Sequence, residues 1–414
     1  MKRLAIAAVF ILFLLSGCNR LPDTSQSEKS PMLIVQEIAA PIKENTAEPE
    51  LTTTDGRVVL SWFEKTGEKK YALRFSIREN EKWSDVQTIA EGENFFVNWA
   101  DFPSVVMKTD KTLTAHWLVK SAAKPYAYDV NIAFSSDGGK SWTKPMKPHT
   151  DNTETEHGFV SLLDLDDGKT GVVWLDGRKF QGAKEGETQH DGHDAKKEMT
   201  LRYAAIDKDG KLFDETELDG RVCDCCQTSA AKTSDGAIVV YRDRTEEEIR
   251  DISAVRFVNG GWEKPQKIST DNWNINGCPV NGPVVAAKEK QVAVVWYTEA
   301  ESQHQVKVAF SNDAGATFGQ PVIVDDGKAM GRTDLLMLDD GSVLVVWLAG
   351  NASGAEIKCR RVKPYGTMDD VFKITDTSIE RKSGFPRIAQ SGKEIIFAWT
   401  DIATSRVRVA VAKL

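Results

Sequence analysis

Hydrophobic positions come in short runs of four to six residues, some alternating with polar ones and some unbroken. Beyond the first twenty residues they do not follow the 3.6-residue spacing of helices, so the pattern predicts strands. Seven runs end in an aromatic residue: Trp62, Trp117, Trp174, Tyr241, Trp296, Trp347 and Trp399, spaced 51 to 67 residues apart. Turn signals such as Asp55-Gly56, Asp167-Gly168, Asp235-Gly236 and Asp340-Gly341 stand just ahead of these runs, the residues a tight hairpin demands. A third alternating strand follows (71–77, 130–134 and 306–310 are clear cases), and a further aromatic, Trp83, Trp142, Trp262 or Phe318, opens a fourth. Four antiparallel strands repeated at this interval make a propeller blade. The prediction is an all-β, seven-bladed β-propeller of four-stranded blades, with six blades as the alternative. The last unit ends after its third strand, so residues 33–38 are expected to supply the missing one and close the ring. The repeated aromatics read as packing between blades.

The N-terminus follows another pattern. Lys2 and Arg3 precede an unbroken apolar run of 12 residues, too short to span a bilayer comfortably. It ends in Leu15-Ser16-Gly17-Cys18, which resembles a bacterial lipoprotein signal cut before a lipidated cysteine. The expected organisation is a signal at 1–17, a lipidated Cys18 and polar tether at 18–32, and one propeller domain at 33–414. Asn19 after the cysteine leans toward the outer membrane of the cell envelope. Lys and Arg total 53 against 61 Asp and Glu, a net charge of −8, which gives no support to nucleic-acid binding. A monomer attached to the membrane through its lipid is expected.

Two segments carry a family resemblance. Ser135-Ser-Asp137-Gly-Gly139-Lys-Ser-Trp142 and Ser311-Asn-Asp313-Ala-Gly315-Ala-Thr-Phe318 resemble the Asp-box hairpins of the sialidase (BNR-repeat) superfamily. Each is expected to form a turn between third and fourth strands, with the Asp accepting backbone N–H bonds and the aromatic plugging the blade. The resemblance covers most of residues 33–414 as a fold. It implies an exo-sialidase type of glycoside hydrolase, with three arginines on the substrate carboxylate, a Tyr–Glu nucleophile pair and an Asp acid/base. The chain departs from that pattern. The stretch that should hold the first arginine reads Ala47-Glu48-Pro49-Glu50-Leu51, and none of the seven tyrosines stands in a nucleophile setting. Asp101, Arg178, Arg242, Arg244 and Arg332 remain as weak catalytic candidates, and no meaningful sialoside cleavage is expected.

The cysteines carry the unusual chemistry. Of six, Cys18 is assigned to the lipid and Cys359, on a third strand, reads as a lone buried thiol. Cys223, Cys225 and Cys226 directly precede the first strand of blade 4, Cys278 that of blade 5, and His157 that of blade 3. Segments joining consecutive blades emerge on one face around the channel, so these five residues are expected to converge. Thiolates with imidazole suit copper or zinc. A disulfide to Cys278 is the competing reading in an oxidising compartment, and a redox thiol site is a third. His190 and His193, in the long loop between Asp176 and Met199, are weaker metal candidates. His116 reads as structural, and His149 and His304 stand in loop-like stretches to which no functional role is assigned. The expected function is a non-catalytic envelope module that binds a glycan or an envelope protein, or bears a metal or thiols. The alternatives are an exo-sialidase and a copper- or zinc-binding thiol redox protein.

Overall fold

The computed structural model describes residues 34–165, 167–182 and 198–413. Cys18, His190 and His193, with the segments expected to be the signal (1–17) and the tether (18–32), lie outside them. Seven antiparallel sheets follow one another along the chain as blades. Their first strands are Thr46–Thr54, Ser104–Met107, His157–Asp164, Ser229–Thr233, Val284–Lys288, Ala329–Met337 and Arg387–Ser391. The ring closes as the sequence predicts. Gln36–Ile38 pairs antiparallel with Arg406–Lys413, Glu37 opposite Ala410, and becomes the fourth strand of blade 7. That pairing gives the last strand of the chain a partner on both sides.

The second strands are apolar because they are covered on both faces by neighbouring blades. Seven hydrophobic clusters, each between adjacent blades, fill the described ring. Each aromatic that closes a second strand sits in the cluster shared with the preceding blade. Trp62 packs beside Ile396 and Val409 of blade 7, Trp174 beside Leu118 and Val130 of blade 2, and Trp347 beside Val295 of blade 5. Trp62, Trp174, Trp296 and Trp347 are fully buried, so the aromatic repeat is scaffold. Truncating one such side chain costs about 3–5 kcal/mol in a packed core.

The two Ser-x-Asp turns form matching hydrogen-bond sets. Gly139 N donates to Ser135 Oγ at 2.8 Å, and Ser141 donates to both oxygens of Asp137. In blade 5, Gly315 N donates to Ser311 Oγ at 3.0 Å and Thr317 does the same to Asp313. Gly139 has φ +92°, and a Cβ there would sit 2.3 Å from Phe75 of the neighbouring blade. The turn therefore locks one blade against the next, and only glycine fits the contact.

Blade 2 departs from the prediction. It has three strands, and its fourth shrinks to a two-way bridge between Ile132 and Met146. Pro145 and Pro148 flank that bridge and have no N–H to extend a ladder.

Candidate functional site

The face where blades join is built from the segments that lead into first strands. Ahead of blade 4, Val222 N donates to Met199 O and Cys223 N to Arg242 O, both at 3.0 Å. Gln227 then bridges three blades. Its Nε2 donates to Ala100 O at 2.6 Å, and its Oε1 accepts from Gly282 N at 2.9 Å. A Cβ on Gly282 would lie 2.0 Å from Gln227 O, so the segments leading into blades 4 and 5 touch backbone to backbone.

This contact brings the cysteines together. Cys225 and Cys278, 53 residues apart in sequence, form a disulfide with Cα atoms 6.0 Å apart. Cys278 is exposed, whereas Cys223 and Cys226 are free thiols and buried. Cys223 Sγ lies 3.4 Å from Cys226 Sγ and 3.9 Å from Cys225 Sγ. Behind them stands Arg250, fully buried, donating from Nη1 to Cys223 Sγ at 3.3 Å and to Asp224 at 3.4 Å, and from Nη2 to Glu248 at 2.8 Å. Burial opposes a charge on Cys223. The hydrogen bond with Cys226 and the Arg250 guanidinium outweigh it and bring the pKa down to about 7. Burial and the neighbouring Cys223 push Cys226 the other way. The result is one ionisable thiol and one reluctant thiol side by side, against a disulfide that reaches solvent.

His157 does not join this group. It leads blade 3 on the same face, but its ring turns into the seam with blade 2. There it stacks on His149, centroids 4.0 Å apart and planes 2° off parallel. Its Nδ1 faces the carbonyls of Thr155 and Tyr128 at 3.2 and 3.3 Å, and its Nε2 faces Asp151 at 3.2 Å and Asp176 at 3.7 Å. Burial disfavours its charge, yet Asp151, Asp176 and Asp129 prevail and raise its pKa. Burial lowers that of His149. The expected five-residue set therefore divides among the described residues: cysteines at one seam, His157 within an ionic plug at another. The physical cause lies just after His157. Phe159 adopts φ +54° at a bulge and donates its N–H to Asp101 Oδ1 at 2.8 Å.

The catalytic candidates are all committed to the scaffold. Asp101 is buried, takes that bond from Phe159, and faces Tyr128 Oη at 3.4 Å; burial drives its pKa well up. Arg178 clamps Asp176 at 2.7 Å and Glu215 at 3.1 Å. Arg242, 2% exposed, donates to the carbonyls of Arg250, Tyr297 and Asn281 at 2.6 to 3.0 Å and stacks on Trp273. Arg244 pairs with Glu248 at 2.7 Å. Arg332 donates to Ser383 Oγ at 2.7 Å and Glu380 O at 3.1 Å, with its guanidinium over Trp99. Arg387 is held between Glu50 and Asp334. Each of these guanidinium groups has at least one partner within the propeller.

The central channel narrows to a cavity of about 150 Å³, lined by first-strand residues such as Glu50, Ser104, Ser161 and Arg387 together with His116. Gln227 and Gly282 also line it, so it begins beside the cysteines. Just before Glu50 in blade 1, Glu48 is buried with Oε2 unpartnered, and burial raises its pKa to about 7. A carboxyl whose folded pKa exceeds its unfolded value of 4.5 contributes its full stability below pH 4.5 and loses it as pH rises through 7. Glu48→Gln removes the cost of ionising it. We expect the variant to gain about 3 kcal/mol at pH 8 and little at pH 4, on the order of 1.36 kcal/mol per pKa unit. Melting curves at the two pH values check this; an equal gain at both would contradict it.

Little in the sequence singles out Arg250. Its only signal is a charged pair, Arg250-Asp251, directly before the apolar run Ile252–Val258. His149 has no partner legible in the sequence, because only the fold brings His157 against it.

No family model matches the chain, and no curated protein matches it. Solved structures with a similar chain path include an α-L-arabinanase from Penicillium chrysogenum, 12% identical with a TM-score of 0.49, over 92% of this chain and 98% of that one. Another is the NanB sialidase from Streptococcus pneumoniae, 10% identical with a TM-score of 0.47, over 86% and 83%. The polysaccharide lyase Uly1 is 7% identical with a TM-score of 0.48, over 89% and 90%. At these identities the likeness is one of fold, and the propeller assignment rests on the sheet order itself.

Proposed function

We propose that this chain is an envelope-tethered propeller that performs thiol–disulfide exchange at its blade-joining face and does not hydrolyse glycosides. One observation carries the reading: two free thiols, one beside a buried arginine, are packed against a disulfide whose outer residue, Cys278, is exposed. A thiolate on a partner would attack Cys278 Sγ, break its bond to Cys225 and leave Cys225 as the departing thiolate, giving a mixed disulfide. The partner is then a protein of the envelope bearing a cysteine, with Cys18 and its lipid holding the module at the membrane. Glycan cleavage lacks support because the arginines around the channel are already paired. A second reading has its own observation. Cys223, Cys225 and Cys226 have sulfurs within 4.8 Å of one another, and reduction of the disulfide would free them as a soft set suited to copper or zinc.

The test uses the folded protein without its lipid. Reduced glutathione should form a mixed disulfide that peptide mapping assigns to Cys278, while a fluorogenic sialoside stays intact. Failure of glutathione to couple at any cysteine, or sialoside turnover, would overturn the proposal.

A further inference from the structure

The exchange reading uses only the outer disulfide and leaves the two buried thiols unemployed. Three facts of placement give them a role. Cys223 Sγ is 3.9 Å from Cys225 Sγ, inside the disulfide's own contact shell, and 3.4 Å from Cys226 Sγ on its other side. Cys223 and Cys226 stand three residues apart on one irregular segment, while Cys225 and Cys278 join two segments. Cys278 meets solvent, and Cys223 and Cys226 do not. A sulfur relay therefore runs from the surface to the interior through Cys225 and Cys223.

We propose that the disulfide migrates along this relay from Cys225–Cys278 to Cys223–Cys226, which presents Cys278 as a free thiol and makes the protein a disulfide isomerase acting on disulfide-bonded envelope proteins. The proposal rests on the exchange reading above and specifies its substrate class.

Two displacements complete the transfer. The Cys223 thiolate attacks Cys225 Sγ. A Cys223–Cys225 bond forms, the Cys225–Cys278 bond breaks, and Cys278 leaves as a thiolate that takes up the proton Cys223 gave to solvent. Cys226 then loses its proton and attacks Cys223 Sγ, forming Cys223–Cys226 and releasing Cys225, which is protonated. One disulfide and two thiols exist before and after, so no external oxidant or reductant enters. Arg250 faces Cys223 through Nη1 and supplies the positive charge beside the sulfur that first attacks and is then attacked. The product state pairs the buried sulfurs and leaves Cys225 and Cys278 reduced. A thiol of that kind can open a substrate disulfide and be released when the substrate re-pairs, with no net electron transfer, which is isomerisation.

Native labelling tests the relay. The folded protein is incubated without reductant in N-ethylmaleimide, unfolded, and its labels and linkages mapped by mass spectrometry. Cys359, which is fully buried in blade 6, reports unfolding if it takes label. The expected result for the unaltered chain is label on Cys278 and Cys225, with Cys223 joined to Cys226 and Cys359 unlabelled. Cys223→Ser should lose both labels and retain Cys225–Cys278. Cys226→Ser should stop halfway, with Cys278 labelled and Cys223 joined to Cys225. If the unaltered protein retains Cys225–Cys278 unlabelled throughout, as Cys223→Ser does, the relay is overturned. Coupling of glutathione at Cys278 in that case leaves the exchange reading standing without the relay; absence of coupling removes both.

Discussion

Arg242→Ala should strongly destabilise the propeller at the seam between blades 4 and 5. The guanidinium of Arg242 has no exposed face. It donates to the carbonyls of Asn281, Arg250 and Tyr297 and lies 4.8 Å from the ring centre of Trp273. These carbonyls belong to three different segments of blades 4 and 5, so one side chain ties the seam together. Removing it strands buried acceptors, at about 1–3 kcal/mol each, and opens a void beside Trp273. A total on the order of 4 kcal/mol is a large part of the roughly 5–15 kcal/mol that holds a domain folded. Lysine restores one donor and the charge but not the fork, so Arg242→Lys should recover only part of the loss. Urea unfolding of the two variants measures this. An Arg242→Ala protein as stable as the parent would mean that the arginine is held for a ligand and not for the fold.

Arg250→Met has the second large effect, and it acts on the thiols as well as the fold. Asp224 is 1% exposed and faces Arg250 at 3.4 Å. Without the guanidinium its charge is buried and unpaired, an arrangement that costs about 3–5 kcal/mol when one partner is removed. Methionine fills much of the vacated volume, so packing loss is the smaller part. Cys223 meanwhile loses the positive charge that helps hold its pKa at about 7, and burial then dominates and pushes it upward. The variant should melt lower and show less thiolate absorbance at neutral pH than the parent. Loss of stability with unchanged thiolate content would show that Arg250 braces the fold but leaves the sulfur chemistry alone.

Much of the fold was legible because strand period and turn chemistry agree along the chain. Asp-Gly turns, apolar second strands and their terminal aromatics fix where blades begin, and a last unit without its fourth strand points to residues 33–38, of which Gln36–Ile38 form the closing strand. Blade 2 loses its fourth strand where Pro145 and Pro148 interrupt the ladder that the repeat predicts. The convergence of Cys278 with Cys223, Cys225 and Cys226 followed from topology alone, since equivalent positions of neighbouring blades must meet. Which two would pair did not follow, because the choice among Cys223, Cys225 and Cys226 depends on the path of a loop. His157 shared the same topological position and still turned away, since the backbone after it bends through Phe159 and Asp101. The arginines show the same limit. Sequence places Arg178, Arg242 and Arg332 near the functional face, but only packing reveals that each bonds to groups of the propeller itself.

The most direct measurement is an equilibrium redox titration of the folded protein against dithiothreitol, read by alkylation and intact mass with tryptophan fluorescence recorded alongside. Exchange at the blade-joining face predicts that Cys225–Cys278 opens and re-forms reversibly while fluorescence stays native. A disulfide that resists reduction until the fluorescence reports unfolding would contradict it and leave that bond as a structural tie between blades 4 and 5.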